Sequence, residues 1–77
     1  MASIYEDQQN WQYVFISEKP NGEKETWGNT QFVACRNKFT HAIEDMEFGD
    51  DEYTYLCVKE GDKIVMEWKE GEDLPQF

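Results

Sequence analysis

Seventy-seven residues suffice for one domain, and a chain this short buries only about 60% of the surface its unfolded form exposes, which leaves room for one thin core and no enclosed catalytic cavity. Charge narrows the function classes further. Seventeen acidic residues stand against seven basic ones, a formal net charge of −10, and such a chain repels nucleic acid and anionic lipid while it is drawn to positive surfaces.

Twelve aromatic side chains supply the large apolar area per residue that a small core needs to offset chain entropy, so the chain is expected to fold despite its charge. The charge is lopsided. Residues 1–43 hold five acids and four bases, net −1, whereas residues 44–77 hold twelve acids and three bases, net −9. The first residues, Met1 to Asp7, show neither a basic region nor an apolar run, and no stretch approaches the roughly 20 apolar residues of a membrane span. The expected location is cytoplasmic. Cys35 and Cys57 are then expected as reduced thiols rather than a disulfide.

In chain order, residues 1–9 are polar and expected to form a loose arm. Trp11 to Ile16 is dense in aromatic and β-branched residues and reads as a strand, stopped by Lys19-Pro20-Asn21-Gly22, where Pro and Asn-Gly favour a turn. Lys24 to Trp27 reads as the returning strand, ended by Gly28-Asn29. The period then changes: Phe32, Cys35, Phe39, Ala42, Ile43 and Met46 recur at steps of three and four, which predicts a helix from Thr30 to about Met46 with these residues on one face. Asn29 or Thr30 is the expected cap, and Gly49 suits the position just past the helix end.

Two extended runs follow, Tyr53 to Lys59 and Lys63 to Lys69, joined by Glu60-Gly61-Asp62. In the last run Ile64, Met66 and Trp68 alternate with Lys63, Glu67 and Lys69, and Val65 is an exception. The tail from Glu70 to Phe77, with Gly71 and Pro75, breaks the pattern and is expected to be mobile. The order ββαββ predicts an α+β fold: a four-stranded antiparallel sheet with one helix across one face. Alternation puts Trp11, Tyr13, Phe15, Tyr53, Tyr55 and Cys57 on one face and Val14, Ile16, Leu56 and Val58 on the other. The face without the helix therefore holds apolar material and is a candidate for self-association.

The sharpest local feature is acidic. Glu44, Asp45, Glu47, Asp50, Asp51 and Glu52 put six carboxylates in nine residues, at a helix C-terminus that prefers cations by about 0.3–1 kcal/mol per group. Stability alone does not select such a run. It reads either as a solvated loop or as an electrostatic docking surface, with Glu60 and Asp62 extending it, together with Glu67, Glu70, Glu72 and Asp73, and with Tyr53 and Tyr55 as flanking contacts. Carboxylates on alternate residues of a strand lie roughly 6.6–6.8 Å apart, close to the spacing of phosphates along a nucleic-acid strand.

Other chemistries fit poorly. If Gly49 is the sixth residue of a calcium loop, Glu44 is the first, and Met46 falls where an oxygen ligand is required. Zinc needs about four ligands and the chain has two Cys and one His. With His41 alone, no nucleophile pair has an obvious geometry. No catalytic residue, metal or cofactor is expected.

A short β-rich chain with one helix, no catalytic motif and a concentrated acidic half resembles the small inhibitors that phages make against host machinery: anti-CRISPR proteins, host-polymerase inhibitors and nuclease-blocking DNA mimics. The resemblance is one of character over the whole chain and transfers no site residues. It implies an inhibitor, acting in the host cytoplasm, that occupies the basic, nucleic-acid-binding site of a protein partner. The competing expectation is a structural or assembly module that pairs through its open sheet face or an edge strand, as a homodimer or with another protein.

Overall fold

A computed structural model of the chain describes residues 12–75, so the expectations for a loose arm at 1–9 and a strand start at Trp11 lie outside the described residues. The elements are β1 (Tyr13–Glu18), β2 (Lys24–Asn29), α1 (Phe32–Phe48), β3 (Tyr55–Glu60) and β4 (Lys63–Lys69). They form the expected α+β arrangement. Four antiparallel strands lie in the order β2-β1-β3-β4, and α1 packs on one face against β1, β2 and β3.

The turn after β1 follows from its sequence. Gly22 has a φ of 91°, Gly22 N–H donates to the Lys19 carbonyl at 2.9 Å, and Glu23 N–H donates to Asn21 Oδ1 at 2.9 Å, the local bond that makes Asn a turn residue. β2 then continues two residues past Trp27, through Gly28 and Asn29.

The helix start differs from expectation. Gln31, not Asn29 or Thr30, is the N-cap, and it makes no side-chain capping bond. Asn29 Oδ1 instead accepts from Gln31 N–H at 2.9 Å, closing a turn one step earlier. The helix end is as expected. Gly49 is left-handed at φ 78°, and Asp50 N–H and Gly49 N–H donate to the carbonyls of Asp45 and Met46 at 2.8 and 3.3 Å, the paired bonds that satisfy a helix's last carbonyls.

The core lies between α1 and the sheet: Cys35, Phe39, Ala42 and Ile43 meet Phe15, Leu56, Val58 and Trp68. Each large side chain buried here contributes about 1.5–3 kcal/mol. The register corrects the assignment of faces. Phe15 pairs with Val58 and Ile16 with Cys57, so Leu56 and Val58 join Phe15 beneath the helix, while Tyr55 and Cys57 join Val14 and Ile16 on the uncovered face. Alternation fixes parity within one strand, but only the register decides which set of the next strand shares its face. A register shift between Val58 and Lys59 also places Ile64 opposite Lys59, on the uncovered face and away from Met66 and Trp68, because cross-strand partners share a face.

Cys35 and Cys57 are both free and buried, one in the core beneath the helix and one on the uncovered face. Burial raises the Cys35 thiol pKa, opposed by hydrogen bonding to the Asn29 and Phe15 backbone. Within the tail expected to be mobile, Glu72 and Leu74 make contacts with the body of the fold. Trp68 Nε1 donates to the Glu72 carbonyl at 3.2 Å, Lys69 N–H donates to Glu72 Oε1 at 2.9 Å, and Leu74 packs on the core.

Candidate docking surface

Antiparallel pairing gives the sheet two distinct ends. At one end Glu18, Lys24, Tyr55 and Lys69 line up across the four strands. Thr54 N–H donates to the Glu18 carbonyl at 2.8 Å and Glu70 N–H to the Thr54 carbonyl at 2.9 Å, and the C-terminus of α1 arrives at the same end through the connection 49–54. Residues 18–24, 44–54 and 69–73 thus converge, bringing eleven carboxylates together with three lysines, a net of −8. At the other end, residues 29–36 and 59–63 carry Glu60 and Asp62 with Arg36, Lys59 and Lys63, a net of +1.

The candidate residues divide accordingly. Glu44, Asp45 and Glu47 lie on the last turns of α1, and Asp50, Asp51 and Glu52 follow Gly49. Glu44, Glu47, Asp50 and Glu52 are exposed, while Asp45 and Asp51 are half-buried. Glu60 and Asp62 do not join this group. The five steps of β3 from Tyr55 to Glu60 separate them from it by about 17 Å. Glu60 instead accepts from Gln12 Nε2 at 3.4 Å, and its hydrogen bond with Tyr13 raises the Tyr13 pKa.

The two tyrosines lie apart. Tyr53 is half-buried against the core, and its hydroxyl donates to Asp51 Oδ2 at 3.4 Å. Burial first and Asp51 second raise its pKa. Tyr55 belongs to the uncovered face, where its hydroxyl donates to Glu67 Oε2 at 2.7 Å. Burial and this bond push its pKa upward, since both disfavour a phenolate.

Asp51 is structural as well as acidic. Lys19 Nζ lies 3.0 Å from Asp51 Oδ2, and Asp51 Oδ1 accepts from Glu52 N–H at 2.9 Å. The lysine first and the backbone bond second hold the Asp51 carboxyl below its usual range, and Asp51 in turn raises the Lys19 pKa. All three lysines of this end have carboxylate partners: Lys19 as described, Lys24 with Glu18 at 3.6 Å and Lys69 with Glu67 at 3.9 Å. Among the described residues most of the carboxylates here have no ion-pair partner and project an uncancelled field.

The acids do not form a row along one strand. They sit on helix turns and connections, so a phosphate-like ladder is absent among the described residues, and what remains is a dense anionic end. Phe48, 74% exposed, stands among Glu44, Glu47 and Asp50. It was legible in principle, because Phe48 falls off the apolar stripe of α1 and between acids. Glu18 and Glu23 join the end only through the hairpin, and nothing in their own neighbourhood marked them. The described residues hold no group of three or more metal-ligating side chains and no helix long and apolar enough to cross a membrane. No family model, curated protein or solved structure matches the chain.

Proposed function

We propose that this protein is a binding module that docks its anionic end onto the basic surface of a protein partner, a nucleic-acid-binding site being the fitting class, and so acts as an inhibitor of the kind phages direct at host machinery. The observation that carries the reading is the convergence of eleven carboxylates on one end of the sheet, with cationic partners for few of them. Three of them, Glu44, Asp45 and Glu47 on the last turns of α1, oppose the helix dipole, and Phe48 supplies an exposed aromatic anchor of the sort that dominates interface energetics.

The test is competition for nucleic acid on purified proteins with basic grooves. The chain is expected to displace labelled duplex from its target at low salt and to lose affinity as ionic strength rises. A variant with Glu44→Gln, Glu47→Gln, Asp50→Asn and Glu52→Gln, all exposed, should bind more than tenfold more weakly, at roughly 0.5 kcal/mol or more per charge. Unchanged affinity would remove the reading. Asp51 is left intact because its loss would disturb the fold.

Exposed Ile64 and Val65 on edge strand β4, 47% and 38% accessible, favour a second reading, an assembly module pairing through that edge or the uncovered face. Binding that is insensitive to salt and lost on Ile64→Lys would select it.

A further inference from the structure

Among the described residues β2 is paired on one side only, to β1, so the sheet ends there in an edge. That edge is regular. Its register with β1 runs from Lys24 to Asn29 without a shift, and Lys24, Glu25 and Thr26 are exposed. The edge at β4 differs, because a register shift breaks its ladder with β3 after Val58 and Glu72 Oε1 accepts from Lys69 N–H. Bulges and covered backbone blunt an edge against pairing, and among the described residues β2 has neither.

The turn before β2 fixes which of its backbone groups face outward. Lys19 N–H donates to the Glu23 carbonyl at 2.8 Å, so the pairs that exchange backbone bonds with β1 are Ser17 with Glu25, Phe15 with Trp27 and Tyr13 with Asn29. The N–H and C=O of Lys24, Thr26 and Gly28 therefore point away from the sheet. An antiparallel second copy of β2 uses all three only when Thr26 faces Thr26 and Lys24 faces Gly28. Any shift that keeps this phase leaves Lys24 or Gly28 without a match, and in one direction it sets Glu25 against Glu25, a like-charge pair.

The same register is complementary in charge. It puts Glu25 of one copy directly across from Trp27 of the other on the helix side of the sheet, and Lys38 Nζ lies over that ring, 5.0 Å from its centroid. Neither Glu25 nor Lys38 has an ion-pair partner among the described residues, so the pairing joins them twice, once on each side of the axis. Glu23 comes beside Asn29 of the second copy, at the start of a helix with neither a side-chain cap nor an acid in its first turn, where negative charge is favoured. Because the strands run antiparallel, each anionic end meets the near-neutral end of the other copy. The helices do not collide: α1 packs over β1, β2 and β3 and centres on β1, so the two axes lie three strand spacings apart, about 14 Å, beyond the roughly 8–10 Å of packed helices.

We propose that β2 is a homodimer interface, at which a second copy of this chain adds its own β2 antiparallel across a two-fold axis at Thr26 and the two four-stranded sheets become one. The inference is independent of the docking function.

Sedimentation velocity over a concentration series should show the dimer. Cys35 and Cys57 are buried, so Thr26→Cys places an exposed thiol on the axis, with Cα atoms about 5.5 Å apart and within disulfide range. Mild oxidation should link it to a covalent dimer, whereas Val65→Cys on β4 should stay unlinked. Thr26→Pro removes an outward N–H that β1 does not use and should leave a folded monomer by circular dichroism. Glu25→Lys and Lys38→Glu should each weaken dimerisation about tenfold, two symmetry-related links being lost at once, and the double exchange should restore it. A monomeric mass up to about 1 mM, linkage through Val65 rather than Thr26, or a double exchange no better than the single ones would overturn the β2 dimer while leaving the anionic end standing.

Discussion

The two ends of the sheet are built from the same strands, yet among the described residues one is strongly anionic and the other nearly neutral. At the end bearing the helix C-terminus, backbone caps are satisfied through Gly49 and side-chain charge is set against the helix dipole. At the opposite end the helix begins without a side-chain cap and acids and bases nearly balance. Backbone chemistry thus stabilises the anionic end while its side chains work against it. That contrast is what the proposed docking role calls for, because surface charges placed for stability follow the dipole.

Both ends rest on one core, and its loss has the largest expected effect. Phe39, 1% exposed, belongs to that core, and Phe39→Ala should cost about 3–5 kcal/mol, enough to unfold a domain near the low end of natural stabilities. Urea denaturation measures it, and a loss under about 1 kcal/mol would contradict the burial of Phe39. Next comes Gly49→Ala, which forces an alanine to φ 78° and should destabilise by about 1–2 kcal/mol. The corresponding gain is at the other end: Gln31→Ser supplies the missing cap on an extended backbone at φ −114° and ψ 130° and should stabilise by about 1 kcal/mol.

A smaller change sharpens the contrast directly. Glu47→Lys should raise stability by about 0.3–1 kcal/mol by matching the helix dipole while weakening partner binding. A variant that loses both would mean that Glu47 makes a stabilising contact. The subtlest expectation concerns pH. The Asp51 carboxyl is held below its ordinary value by Lys19, so this pair's stability is fully present above the unfolded value of about 3.9 and is lost as pH falls through the lowered folded value. Lys19, raised by Asp51, loses its contribution only as pH climbs through its own raised value. Asp51→Asn should lower the melting midpoint at pH 6 and have no effect once the wild-type carboxyl is protonated. An equal deficit at both pH values would sever the link to ionisation.

Several features were readable before any coordinates. The three-and-four spacing from Cys35 to Ile43 names the buried helix face, since a helix's period is local and needs no partner. Asn21-Gly22 and Gly49 mark a turn and a helix stop because positive φ is a property of the residue itself. The acidic run at 44–52 was equally plain. By contrast, its extension to Glu60 and Asp62 was misplaced. Residues 44–52 precede β3 whereas Glu60 and Asp62 end and follow it, so chain order alone already sets those two residues a strand's length away.

What the sequence determined by itself was therefore everything governed by short-range periodicity and backbone preference: the order ββαββ, the helix face and the acidic run. Tertiary structure alone decided the strand order, the face shared by Phe15 and Val58, and the enlistment of Glu18, Glu70 and Glu72 into one anionic end. Each depends on strand register, and register is set by pairing between segments distant in the chain, where a shift of a single residue moves every side chain to the opposite face.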